Sequence, residues 1–246
     1  MIYNTLSKLT NTLFIVVERQ ILAIGGGGFG KKNSHFLIEN YLLNLSKKES
    51  PRICFIPTAT GDDTDYIVRF YSVFTKLSCQ PSHIELFKRT VNLEEHILNQ
   101  DIIFVGGGNT KSMLAVWNDW GINHFLRMAY DNGIIMSGVS AGAICWFSSG
   151  ITDSWDKELN IIPCLGFIRG TCCPHYDEEP ARIPYVKNML SKKTINNCIA
   201  IEGGSALYCV NDIPINNISF YNHKRSYLVH SELNKFTEKP FQNIQL

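Results

Sequence analysis

Apolar residues in this chain fall into short dense runs that alternate with longer stretches of helical spacing. Residues 20–24 (QILAI) form such a run, halted by Gly25, Gly26, Gly27 and Gly28 and then by Phe29-Gly30. An apolar run stopped by glycine reads as a buried strand entering a tight loop. Residues 35–45 (HFLIENYLLNL) then space their apolar side chains as a helix does. The alternation repeats: a strand at 52–56 stopped by Pro57, a helix at 67–77, a strand at 82–87 and a helix at 91–98. A strand at 101–105 ends on Gly106-Gly107-Gly108, and Asn109-Thr110 opens a helix to about residue 117. A helix at 122–131, a strand at 134–138 and a helix at 141–147 complete the regular part. Beyond it, 198–201, 205–210 and 219–221 read as strands, and the segment from His223 as an antiparallel edge.

Strands and helices alternating at this pitch predict a single α/β domain, with a largely parallel central sheet covered by helices on both faces. Ligands bind such sheets beyond the carboxyl ends of the strands. Three glycine-bearing turns fall at those ends, at 25–30, 106–110 and 138–142. The length of 246 residues suits one domain, and no linker divides it. Residues 1–18 are expected to be an N-terminal extension, native or a product of start-site choice, with the domain occupying 19–246. The apolar run 13–17 (LFIVV) is too short for a signal-peptide core or a membrane span.

Lysine plus arginine total 23 and aspartate plus glutamate 22, a net charge of +1. That balance gives no electrostatic footprint for nucleic acid or anionic lipid. Eight cysteines without a CxxC pair, five of them in or beside apolar runs, read as reduced thiols of a cytoplasmic protein.

The strongest local signal is Gly138-Val139-Ser140-Ala141-Gly142, a G-x-S-x-G pattern between a predicted strand and a predicted helix. Small neighbours let strand and helix approach closely, and the sharp turn lifts the Ser140 hydroxyl above the sheet. The blander alternative is a small-residue turn with Ser140 as helix cap. Serine needs a base to take its proton, and the base needs a third group to fix its tautomer. Of seven histidines, His175 follows a proline in a polar loop after Ser140, with His223 and His230 as competitors. Glu202 ends an apolar strand and so faces the same rim as Ser140, while Asp153, Asp156 and Asp177 are rivals for the acid.

With ILAIGGGGFG at 21–30, CFIPTATGDD at 54–63, FVGGGNT at 104–110, GVSAGAICW at 138–146, CCPHYDEEPAR at 172–182 and IEGGSAL at 201–207, the chain resembles the peptidase E family and its relative cyanophycinase. The resemblance implies a class I glutamine amidotransferase-like fold and a Ser-His-Glu triad of Ser140, His175 and Glu202. It implies oxyanion donors at the backbone N–H of Ala141 and in the 106–108 turn, at Gly107. Substrate contacts are expected from Asn109 and Arg182. The family's preference for an N-terminal aspartyl residue requires a cation near the nucleophile, and Arg169 and Arg182 flank the His175 loop. The same loop carries Asp177, Glu178 and Glu179, which would neutralise Arg182 or attract a substrate's amino group.

The expected function is a serine peptidase of the dipeptidase kind, acting through an acyl-enzyme without metal or organic cofactor. The expected partners are a small peptide substrate and, as an allowed assembly, a second copy in a homodimer, with no nucleic acid and no membrane. The alternatives are a cyanophycinase-like isopeptidase and a catalytically silent binding module. A glutamine amidotransferase would need a cysteine at the elbow, and an α/β-hydrolase would order its acid before its histidine. The partial G-x-G-x-x-G at 25–30 lacks a ribose-binding acid at a strand end, since Glu49 sits in polar KKES.

Overall fold

The computed structural model describes residues 17–29, 35–155, 158–221, 223–232 and 235–246. Residues 1–16, Gly30 and Asp156, named above, lie outside the described residues. The chain runs β1 (Gln20–Ile24), α1 (Leu37–Leu45), β2 (Arg52–Ile56), α2 (Thr64–Phe74), β3 (Gln80–His83), α3 (Leu93–Leu98), β4 (Ile102–Val105), α4 (Thr110–Asp119), α5 (Ile122–Asp131), β5 (Ile135–Val139) and α6 (Ala141–Ile144). It continues as β6 (Phe147–Thr152), β7 (Asn160–Pro163), β8 (Ile168–Cys173), α7 (Arg182–Ser191), β9 (Asn197–Ile201), β10 (Ser205–Val210), β11 (Ile213–Ser219), β12 (Ser226–Glu232), β13 (Lys235–Pro240) and β14 (Gln242–Gln245).

The central sheet has eight strands in the order β14-β11-β10-β1-β5-β4-β2-β3. Strands β1, β5, β4, β2 and β3 run parallel, and β10 joins β1 antiparallel. Period-two alternation sorts their side chains between two faces. Leu22, Ile24, Ile53, Phe55, Phe104 and Val139 pack under α1 and α2 with Ile38, Leu42, Phe70 and Phe74. Ile21, Ala23, Cys54, Ile56, Ile103 and Met136 face the opposite way, against Met113, Trp117, Leu126 and Tyr130 of α4 and α5. Both faces of the sheet are thus covered, as its continuous apolar runs require.

A second sheet, in the order β13-β12-β9-β8-β6-β7, extends the fold beyond what the apolar pattern suggests. Its Phe147, Ile168, Cys172 and Ile199 join the α4–α5 side of the core. The predicted helix at 141–147 therefore stops at Ile144. The Cys145 carbonyl accepts from Leu165 N–H and the Trp146 carbonyl from Ile168 N–H, which draws the chain into β6. The predicted strand at 82–87 likewise ends at His83, because the Asp62 carboxylate takes the N–H groups of Leu86 and Phe87. Helix α7 and strands β6 to β8 lie in segments with no clear periodicity. The C-terminal residues form the expected antiparallel pair, β12 with β13. All eight cysteines are free thiols. Among the described residues no helix is long and apolar enough to cross a membrane.

Candidate active site

The 138–142 turn is as tight as its glycines suggest. A Cβ on Gly138 would fall 2.7 Å from the Val105 carbonyl oxygen, and one on Gly142 would fall 2.9 Å from the Val105 Cβ. No larger residue lets β5 and α6 meet against the end of β4. Ser140 between them has φ 57° and ψ −111°. A non-glycine residue held there stores about 1–3 kcal/mol of strain that the surrounding packing must hold in place. Its hydroxyl makes no hydrogen bond within the described residues. We expect Gly142→Ala to lower unfolding stability by about 1–3 kcal/mol or more, the cost of overpacking a closed core. Thermal unfolding checks this, and an unchanged midpoint would mean that the elbow relaxes.

The end of β1 gathers the other parts. Its successive carbonyls accept from Ser140 N–H (Ile24 O, 3.1 Å) and from His175 N–H (Gly25 O, 3.1 Å). The two residues therefore stand on adjacent peptide groups of one strand end. Gly204 N–H reaches Gly26 O at 2.8 Å, and Tyr176 N–H reaches Ile201 O at 3.2 Å, so the 201–204 turn joins the cluster. His175 also has a left-handed backbone, φ 51°, and opens a tight turn in which Glu178 and Glu179 N–H both bond its carbonyl. That turn folds Glu178 back onto its own histidine, with Oε2 2.5 Å from His175 Nδ1.

Two glycines make room for this pair. A Cβ on Gly26 would lie 2.6 Å from Glu178 Oε2 and 2.9 Å from His175 Nδ1, and one on Gly203 would run into the Glu178 carboxyl group. Within the first loop, Gly26 thus serves the close approach of the histidine and Gly25 that of the 201–202 backbone. Asp177 accepts from Gly203 N–H at 2.8 Å and pairs with Lys224. Burial pushes the Asp177 carboxyl up, but these partners outweigh it and hold it below the usual carboxylate range.

The structure gives His175 a different carboxylate from the expected one. Glu202 accepts from Arg225 N–H (2.8 Å) and from the Tyr227 hydroxyl (3.3 Å). It stands at the strand end as read, but its oxygens face β12. Arg182, expected at the substrate, is buried at 3% exposure. Its guanidinium bonds Glu179 and the Ile151 carbonyl, which ties the 175–182 loop to β6. Arg169 lies at the start of β8, the end away from His175. Asn109 caps α4 by accepting from Ser112 N–H (2.8 Å), and its amide donates to the Ser154 carbonyl (2.9 Å). Asp153 is exposed in the loop beside it. Of the competing histidines, His230 lies on β12 and His223 in the turn before it.

Gly107, expected to supply an oxyanion donor, lies against the elbow. A Cβ there would lie 3.3 Å from Ser140 Cβ, and its N–H points at the Tyr66 hydroxyl, 3.4 Å away. Ala141 follows the nucleophile directly and is buried.

A parallel α/β sheet that carries a strained serine elbow, with a carboxylate-held histidine anchored to the neighbouring peptide, defines the scaffold of a serine hydrolase. The chain belongs to peptidase family S51, whose model matches residues 21–214, and is accordingly a serine peptidase. It is 43% identical over 223 residues to the uncharacterized peptidase YgaJ of Bacillus subtilis (strain 168), covering 90% of this chain and 96% of that one. Its fold is similar to that of a candidate peptidase E protein of Listeria monocytogenes EGD-e, with a TM-score of 0.60 at 16% identity, over 80% of this chain and 97% of that one. It is also similar to a peptidase from an acI-B1 Actinobacterium, with a TM-score of 0.62 at 16% identity, over 93% and 96%.

Proposed function

We propose that this peptidase cleaves small peptides through an acyl-enzyme on Ser140, with His175 as general base and Glu178 as the acid that orients it. The carrying observation is that the Ser140 and His175 backbones are anchored on consecutive carbonyls at the end of β1, with Glu178 on His175 Nδ1. Ser140 Oγ attacks the scissile carbonyl while His175 takes its proton. The carbonyl π pair moves to oxygen, facing the N–H groups of Gly107 and Ala141. When the C–N bond breaks, His175 returns the proton to the leaving amine, and water then releases the acyl group by the same steps. Glu178 keeps the proton on Nδ1, so Nε2 remains the basic nitrogen, and it stabilises the imidazolium.

Preference for an N-terminal aspartyl residue needs a cation facing the substrate. Arg182 is committed to Glu179 and Ile151, which supports recognition that does not rest on that arginine. The test is a fluorophosphonate label located by mass spectrometry, run beside a dipeptide panel with and without N-terminal aspartate. A Ser140 adduct with dipeptide turnover is the expected result. A folded protein that forms no adduct would sink the reading, and turnover confined to aspartyl dipeptides would restore a cation to the site.

A further inference from the structure

We infer that the Tyr66 hydroxyl is a further oxyanion donor, acting beside the Gly107 N–H on the charge that develops when Ser140 attacks. The inference rests on Ser140 being the nucleophile.

Tyr66 sits in the first turn of α2, and its ring is fixed by aromatic neighbours. Ring centroids lie 5.0 Å from Phe55 and 5.2 Å from Phe29. The ring also lies close against the oxyanion turn: a Cβ on Gly106 would fall 2.9 Å from its Cε1. Such packing leaves the phenol few rotamers and aims its oxygen at Gly107. Among the described residues the hydroxyl has one hydrogen-bond partner, the Gly107 N–H at 3.4 Å. That contact uses an oxygen lone pair and leaves the hydroxyl proton without an acceptor. Tyr66 is half-buried, so the hydroxyl proton stays available to an acceptor that enters the site. Burial holds the phenol above its ordinary value, more than Gly107 and Arg69 pull it down, so it stays a neutral donor.

The distances favour sharing over blockage. At 3.4 Å the resting contact is longer than a strong hydrogen bond. Two donors that far apart can each reach one oxygen about 2.8 Å away, the separation an oxyanion requires. Gly107 also faces Ser140, since a Cβ there would touch Ser140 Cβ at 3.3 Å. The nucleophile, the amide and the phenol therefore converge on one space. The phenol donates a hydrogen bond and keeps its proton, so the proton balance of acyl transfer is unchanged. It also gives the N–H a weak partner before substrate arrives, which an oxyanion can displace.

Tyr66→Phe keeps the ring and removes only the hydroxyl. The second-order rate of fluorophosphonate labelling at Ser140, and kcat and KM on the best dipeptide of the panel, would be measured for the wild type, Tyr66→Phe and Ser140→Ala, with thermal midpoints alongside. Phosphonylation develops charge on the same oxygen position, so both readouts probe the donor. The expected result is a fall of about 10²-fold in labelling rate and in kcat, KM within about threefold and an unchanged midpoint. A labelling rate equal to wild type, or a raised KM with intact kcat, would overturn the role of Tyr66 and leave Ser140 standing. A wild type that carries no adduct at Ser140, or a Ser140→Ala variant that keeps full activity, would overturn both.

Discussion

Ser140→Ala, His175→Ala and the double variant are expected to lose the same factor in kcat, about 10⁶. The equality matters more than the size. Without His175 the serine hydroxyl is not a competent nucleophile, and without Ser140 the histidine has no proton to move, so each loss already includes the other. Both backbones are anchored on consecutive carbonyls at the end of β1, which brings the two residues to one strand end. Residual turnover of about 10³–10⁴ over water should survive in all three, supplied by the oxyanion donors and substrate binding. Steady-state kinetics on the best dipeptide reads this directly. Losses that multiply in the double variant would mean that the two residues act in separate steps, contrary to a shared proton transfer.

The elbow was legible because its chemistry demands a residue pattern. Gly138 and Gly142 are where the backbone of β4 leaves no room for a side chain, and only glycine satisfies both positions. The strand runs of the central sheet were legible for a related reason: strands buried on both faces must be continuously apolar. The second sheet was not. Strand β6 opens with buried Phe147 but continues through exposed Ser148 and half-buried Ser149, and its register against β8 shifts between Phe147 and Ser149, which breaks the period that would announce it. Helix α7 hides for another reason: of its buried residues Arg182, Val186 and Leu190, the first is charged and held by an ion pair with Glu179, which leaves few apolar positions to mark the face.

The proposed acid shows where linear reading stops. Both Glu202 and Glu178 stood in the motifs, one after a strand and one within HYDEE. Position at a strand end favoured Glu202, but a strand end fixes only the height of a residue on the rim. Which way its carboxylate points depends on β12, whose Arg225 N–H and Tyr227 hydroxyl capture it. Glu178 reaches His175 because His175 takes a left-handed backbone and opens a four-residue turn. No periodicity marks such a turn. The available signal was the pair of glycines opposite, Gly26 and Gly203, which are needed only if something bulky lies against them. Tyr66 carried no signal, being one aromatic among several along an amphipathic helix.

Glu178→Gln is expected to lower kcat by about 10⁴ with little change in fold, while Glu202→Gln should stay within about tenfold of wild type. An amide at 178 keeps nearly the same shape against Gly26 and Gly203. It can, however, turn its NH₂ towards Nδ1, which places the imidazole proton on Nε2 and removes the base facing Ser140. It also cancels the charge that stabilises the imidazolium. At 202 the same substitution leaves an acceptor for Arg225 N–H and weakens only the longer contact from Tyr227, so its cost falls on stability, at about 1–3 kcal/mol. The two variants therefore separate by readout: one in kcat with an unchanged midpoint, the other in thermal midpoint with activity retained. Kinetics and thermal unfolding of both variants decide the assignment. A 10⁴-fold loss in Glu202→Gln with Glu178→Gln near wild type would return the orienting role to the strand end and make the His175–Glu178 contact a feature of the resting loop.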